Sequence, residues 1–140
     1  WMARGEYLLW LSDDERMTLD HVESLVDLLE SRQVDFVYPR VELTMKDDPS
    51  YRSVIGQEPP MQGTITHVLY RAALLDYRGF RTHVGSGTDW DQVSHWLEAG
   101  ASYAMLDRLT LTHRMDKLGE GDDYREQRQP LMGHRERVSA

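Results

Sequence analysis

Apolar and polar positions along the chain sort into alternating strand-like and helix-like stretches. Tyr7-Leu8-Leu9-Trp10-Leu11 is continuously apolar and breaks into Ser12-Asp13-Asp14-Glu15. An unbroken apolar run of this length reads as a strand covered on both faces, as in a parallel sheet between helices. Residues 7–11 are therefore expected to be a buried strand with neighbours on both sides, which implies further sheet N-terminal to Trp1. Val22, Leu25, Val26 and Leu29 then recur at i, i+3, i+4 and i+7, the stripe of an amphipathic helix. Thr18 is its expected N-cap, Asp20 and Glu23 suit its positive end, and His21 is expected to be solvated on the first turn.

Residues 35–43 read as a second strand around Phe36-Val37-Tyr38. Pro39 has no N–H for a ladder, so the strand should end or become an edge there. Residues 45–62 show no period, and Asp47-Asp48-Pro49 and Pro59-Pro60 are turn signals, so a long loop is expected. Residues 63–70 alternate as a strand, 71–77 read as a short helix, Arg78-Gly79-Phe80 as a turn and Gly85-Ser86-Gly87 as a hinge. A second helix is expected over 90–99, with Trp90, Val93 and Leu97 on one face and Gly100 at C′. Residues 103–106 and 109–113 read as two short strands, the second ending at His113. Beyond them, residues 119–140 are dense in charge and form a tail, helical or disordered.

Composition narrows the class of function. The chain has 140 residues, 40% hydrophobic and 29% charged, which suits one soluble domain with a proper core. It contains no cysteine, so any metal must be held by oxygen or imidazole ligands. The absence of thiols is compatible with a cytoplasmic setting. With 16 basic against 24 acidic residues the net charge is -8, which argues against a nucleic-acid-binding surface.

The candidate chemistry lies at two acidic stretches. Ligands of parallel α/β sheets bind at the carboxyl ends of strands, where Ser12-Asp13-Asp14-Glu15 would stand. Three carboxylates there repel one another, and a bound cation would relieve the strain. Capping of the next helix by Asp13 or Asp14 is the simpler alternative. Asp89 and Asp91, at the start of the second helix behind a glycine-rich loop, carry the same ambiguity.

Together these stretches resemble the second half of a family 2 glycosyltransferase domain over residues 3–115. Ala3-Arg4-Gly5-Glu6-Tyr7-Leu8-Leu9-Trp10-Leu11 is similar to that family's Ala-x-Gly-Glu-Tyr lead-in, and Ser12-Asp13-Asp14 falls where it carries Asp-x-Asp. Gly63-Thr64 to Arg71, followed by Gly79-Phe80, resembles its acceptor-side strand and turn. Thr88-Asp89 stands where members carry Glu-Asp, and residues 90–100 match the helix after it. The resemblance implies a partial GT-A fold, nucleotide-diphospho-sugar transferase-like, over residues 1–118. That fold is a three-layer α/β sandwich with a mixed, mainly parallel sheet.

The activity so implied is metal-dependent, inverting transfer of a sugar from a nucleotide-sugar donor, UDP-linked, to an acceptor hydroxyl. Hard oxygen ligands suit Mn²⁺ or Mg²⁺, which as a Lewis acid stabilises charge on the departing diphosphate. The resemblance makes Asp14 the metal ligand, with His113 a further participant near the metal. Asp13 and Ser12 fall beside the donor, and Asp89 matches the catalytic base. Ser12 departs from the family's first Asp, which removes one carboxylate. The family's first half, which binds the donor, has no counterpart here, so the chain is expected to be a fragment, inactive by itself unless a partner segment completes it. Any membrane association would come through flanking segments. No Gln-x-x-Arg-Trp follows Asp89, which favours non-processive transfer. The alternatives are a non-catalytic α/β binding or assembly module on the same scaffold, and a metal hydrolase using Asp13, Asp14, His67, His83 or His113.

Overall fold

The computed structural model describes residues 3–61, 67–76 and 88–116. These form a mixed α/β unit in which one curled sheet carries two helices. The elements run β1 (Tyr7–Leu9), β2 (Glu15–Met17), α1 (His21–Arg32), β3 (Phe36–Met45), β4 (Arg52–Ile55), β5 (Leu69–Arg71), a 3₁₀ turn (Ala72–Asp76), α2 (Thr88–Glu98) and β6 (Tyr103–Met115). Strand order is β1-β5-β3-β6-β2, with β4 also paired to β3. Only β3 and β6 run parallel; the other pairings among the described residues are antiparallel, so the expected mainly parallel sheet is not what forms.

β3 is the spine. Its Phe36 and Tyr38 face one way and Val37 the other, and each side gathers its own core. Phe36, Tyr38, Tyr70 and Leu74 pack with Trp90, Val93 and Trp96 of α2. Val37 and Leu69 pack with Leu25 and Leu29 of α1. Because side chains alternate along a strand, the two helices cover opposite faces. The α2 side is aromatic, with Trp96 packed on Tyr70 at 4.8 Å and on Phe36 at 5.6 Å between ring centres. Pairs of this kind add about 1 kcal/mol beyond the area they bury.

Pro39 does not end β3. The strand's outer edge pairs with β5 at Phe36 and Val37 and with β4 from Val41 onward, so Pro39 sits in the gap between those partners. Its missing N–H therefore costs no ladder bond. The register against β6 shifts between Pro39 and Arg40 and again between Arg40 and Val41. Asp107 and Arg108 bulge out of β6 at that point, so the expected pair of short strands is one strand of 13 residues with a bulge.

Four further expectations are corrected. β1 covers only Tyr7–Leu9, is half-buried, and pairs with β5 alone among the described residues; Trp10 and Leu11 are exposed. Residues 45–62 contain a hairpin, because β4 folds back on β3 from Thr44↔Arg52 to Val41↔Ile55. Asp48 sets its turn by accepting from both the N–H and the hydroxyl of Ser50. The N-cap of α1 is Asp20, whose carboxylate binds the Thr18 hydroxyl at 2.6 Å and pairs with Arg108. His21 is wholly buried, and the inner face of α1 is His21, Leu25 and Leu29, whereas Val22 is exposed.

Both helices end as Schellman motifs. In α2 the N–H of Gly100 reaches the carbonyl of Leu97 and that of Ala101 the carbonyl of Trp96, with Gly100 at φ +85° as the sequence predicts. In α1 the corresponding left-handed residue is Gln33, at φ 53°. No helix among the described residues is long and apolar enough to cross a membrane. The start of the 63–70 strand, the Arg78-Gly79-Phe80 turn, the Gly85-Ser86-Gly87 hinge and the 119–140 tail lie outside the described residues, as does His83.

Candidate functional site

The acidic stretch after β1 turns into a strand, not into a helix. The N–H of Glu15 bonds to the carbonyl of Ser12 at 3.2 Å, closing a turn over Asp13 and Asp14. β2 then pairs antiparallel with the far end of β6, Glu15 opposite His113 and Met17 opposite Leu111. The N–H of Arg114 donates to the backbone carbonyl of Asp14 at 2.9 Å, so the turn is fastened beside His113. Two stretches almost a hundred residues apart thus place their polar ends together.

Glu15 is at the centre. Its carboxylate is buried and accepts the Ser12 N–H at 2.9 Å. His67 Nδ1 stands 3.4 Å from Oε2, and His113 Nδ1 stands 3.8 Å from Oε1. Burial alone would raise the Glu15 pKa, but the two imidazoles and the Ser12 N–H outweigh it and hold it at about 2. In return Glu15, with help from Asp14, raises the pKa of His113 against the effect of burial. Behind His67 lies His21, 4.9 Å away between ring centres. His21 Nδ1 is 2.8 Å from the Thr110 hydroxyl, and burial together with the neighbouring His67 pushes its pKa down to about 4.

Asp14 and His113 supply the atoms left over. Oδ1 of Asp14 and Nδ1 of His113 are 3.7 Å apart, both shielded from solvent, and neither has a hydrogen-bond partner. A buried polar atom without a partner carries a free-energy cost that a ligand would remove. One carboxylate oxygen and one imidazole nitrogen facing each other fit a divalent cation of the Mn²⁺ or Mg²⁺ kind. No group of three such side chains gathers to hold a metal ion among the described residues. The pair could hold a cation only with further ligands from solvent or substrate.

Asp89 lies on the first turn of α2, where its Oδ1 accepts the N–H of Trp90 at 2.8 Å. Burial raises its pKa, the Trp90 N–H opposes the rise, and the nearby charge of Glu15 adds to it. Asp13 and Ser12 are exposed on the turn; Ser12 takes part through its backbone N–H. Arg71, at the end of β5, is a structural pillar. It pairs with Glu30 at 3.1 Å and donates from Nε to the carbonyl of Val34 at 3.1 Å.

Sequence reasoning passed over Glu15 and His21 as participants, and weighed His67 only as a hydrolase ligand. The signal for Glu15 was its place as the third acid of the cluster, one step beyond Asp14 and so on the opposite side of an extended strand. The signal for His21 was its spacing of four from Leu25, on the face that α1 buries.

No protein-family model matches this sequence, and no curated protein is significantly similar to it.

Proposed function

We propose that this chain carries the catalytic half of a metal-dependent, inverting glycosyltransferase, moving a sugar from a UDP-linked nucleotide-sugar donor to an acceptor hydroxyl. On this reading the curled sheet and its two helices are the C-terminal part of a GT-A sandwich, and the donor-binding half lies outside the chain. The observation that carries it is the facing pair of unpartnered atoms, Asp14 Oδ1 and His113 Nδ1, 3.7 Å apart at the strand ends. Asp14 and His113 would hold Mn²⁺ or Mg²⁺, which when bound supplies Lewis-acid stabilisation of charge on the departing diphosphate. Glu15 faces the same Nδ1 of His113 at 3.8 Å and keeps the ring in place. Asp13 and Ser12 lie on the donor side of the same turn.

Asp89 is the base. Burial raises its pKa, which makes its carboxylate a better proton acceptor. It takes the proton of the acceptor hydroxyl as that oxygen bonds to the anomeric carbon. The bond from that carbon to the diphosphate oxygen breaks, and the electron pair leaves with the nucleoside diphosphate. Attack opposite the leaving group inverts the carbon, and no covalent enzyme intermediate forms.

Calorimetric titration with UDP, with and without Mn²⁺, of the chain completed by a donor-binding half tests the reading. Binding should require Mn²⁺ and should be abolished in Asp14→Ala. Asp89→Asn should bind UDP as the unaltered chain does, while transfer falls by about 10²–10⁴. Transfer at the native rate in Asp89→Asn would overturn the base assignment. The second reading, a non-catalytic binding or assembly module, is favoured by Ser12 in place of a carboxylate and by the two-ligand limit at Asp14 and His113. Absence of Mn²⁺-dependent UDP binding even in the completed domain would decide for it.

A further inference from the structure

The register that seats Glu15 and His113 on one face of the sheet puts a different set of side chains on the other. Arg16, Thr112 and Glu42 align across β2, β6 and β3. Two residues further, Arg114, Thr44 and Arg52 align across β6, β3 and β4. With a period of two, both rows lie on the face opposite Glu15 and His113. Over these rows, lined also by Lys46 and Pro49 of the hairpin, is a cleft of about 500 Å³. That volume is typical of a small-molecule site.

Its charges are unevenly satisfied. Arg52 is engaged, donating to the carbonyls of Tyr51 at 2.7 Å and Pro49 at 3.1 Å and pairing with Glu42 at 3.6 Å. Arg16, Lys46 and Arg114 line the same cleft and make no ion pair among the described residues. They share it with Arg52 and with the acidic residues Asp13, Asp14, Glu15 and Glu42, in a chain whose net charge is -8. A compact dianion between the three cations would supply the ion pairs they lack. Guanidinium and ammonium groups together match phosphate oxygens, the guanidinium through paired N–H donors and the ammonium as a point charge. The exposed carboxylate of Asp13 also lines the cleft, an acceptor for hydroxyl groups.

We propose that this cleft is a second binding site, for a small phosphate monoester bearing hydroxyl groups. Arg16, Arg114 and Lys46 hold the phosphate, and Asp13 accepts from a hydroxyl. The site needs no metal and does not depend on the glycosyltransferase reading.

Titration of the 140-residue chain with glycerol 3-phosphate in the presence of EDTA tests it, since the chelator removes any anion held through a cation at Asp14. Binding should weaken at least about tenfold in the double variant Arg16→Ala/Arg114→Ala. Arg32→Ala removes a positive charge from the exposed end of α1, outside the cleft, and should bind as the unaltered chain does. A loss in Arg32→Ala equal to that in the double variant would overturn the site, as would no binding by the unaltered chain at millimolar ligand. Vesicles containing phosphatidic acid separate the two sources of such a group. Vesicle binding that glycerol 3-phosphate displaces supports the same cleft reading a lipid headgroup. Vesicle binding that it does not displace overturns the assignment.

Discussion

Glu15 shows how one side chain can order a whole site. A buried carboxylate between two imidazoles is stable only while its partners remain, because desolvation then lacks compensation. Glu15→Gln keeps an acceptor for the Ser12 N–H but removes the charge that His67 and His113 face. Two results should follow. Stability to urea should fall by about 3 kcal/mol, the order expected when one partner of a buried pair is removed. The pKa of His113, raised chiefly by Glu15, should fall, which an imidazole proton NMR titration reads directly. An unchanged His113 titration would show that Asp14 alone sets its charge state. The same variant separates ring positioning from cation binding. Asp14 remains, so Mn²⁺ should still bind, but less tightly because the His113 ring has lost its support.

At the scale of elements, what could be read from the sequence depended on whether the signal was local. Leu25 and Leu29 of the α1 stripe, the strand around Phe36-Val37-Tyr38, Trp90 and Val93 of the α2 face, and Gly100 at the end of α2 all report on nearest neighbours and formed as expected, whereas Val22 of the same α1 stripe is exposed. Pro39 misled because its effect depends on which strands lie beside it, and the gap between β5 and β4 is a tertiary fact. The apolar run 7–11 misled for the same reason: only three of its residues pair, with β5 alone among the described residues. The candidate site was legible as residue types at Asp14, Asp89 and His113. Its geometry was not, because the antiparallel β2–β6 pairing that joins Glu15 to His113 has no signature in either stretch. A local rule also identifies a weak point. Gln33 occupies the left-handed C′ position of α1 at φ 53°, where a Cβ is disfavoured and glycine is not. Gln33→Gly should therefore raise stability by about 0.5–1 kcal/mol, seen as a higher urea midpoint at unchanged slope. A lower midpoint would mean that the Gln33 side-chain bond to the carbonyl of Glu30, 2.9 Å, outweighs the backbone strain.

For the molecule as a whole, the same cluster sets how stability depends on pH. His21 has a folded pKa of about 4, below its ordinary 6.5. Its neutral form is the one the fold accepts, so stability is complete above 6.5 and is lost as pH falls toward 4. Glu15 has a folded pKa of about 2 against an ordinary 4.5. Its contribution is complete above 4.5 and is lost as pH falls toward 2, so the two windows follow one another on the acid side. His113 acts in the opposite sense: its raised pKa stabilises the fold below 6.5, and the benefit is lost as pH rises through the folded value. Asp89, raised by burial, also favours lower pH, because its ionised form is the one the fold disfavours. The windows can be separated by one substitution. Between pH 6.5 and 5 the unaltered chain should lose about 2 kcal/mol from His21. His21→Gln, which can still bond to the Thr110 hydroxyl but does not titrate, should show little loss over that interval and then fall below pH 4.5 with Glu15. Urea midpoints of both chains at pH 6.5, 5 and 3 measure this. Equal losses in the two chains between pH 6.5 and 5 would assign that window to a group other than His21.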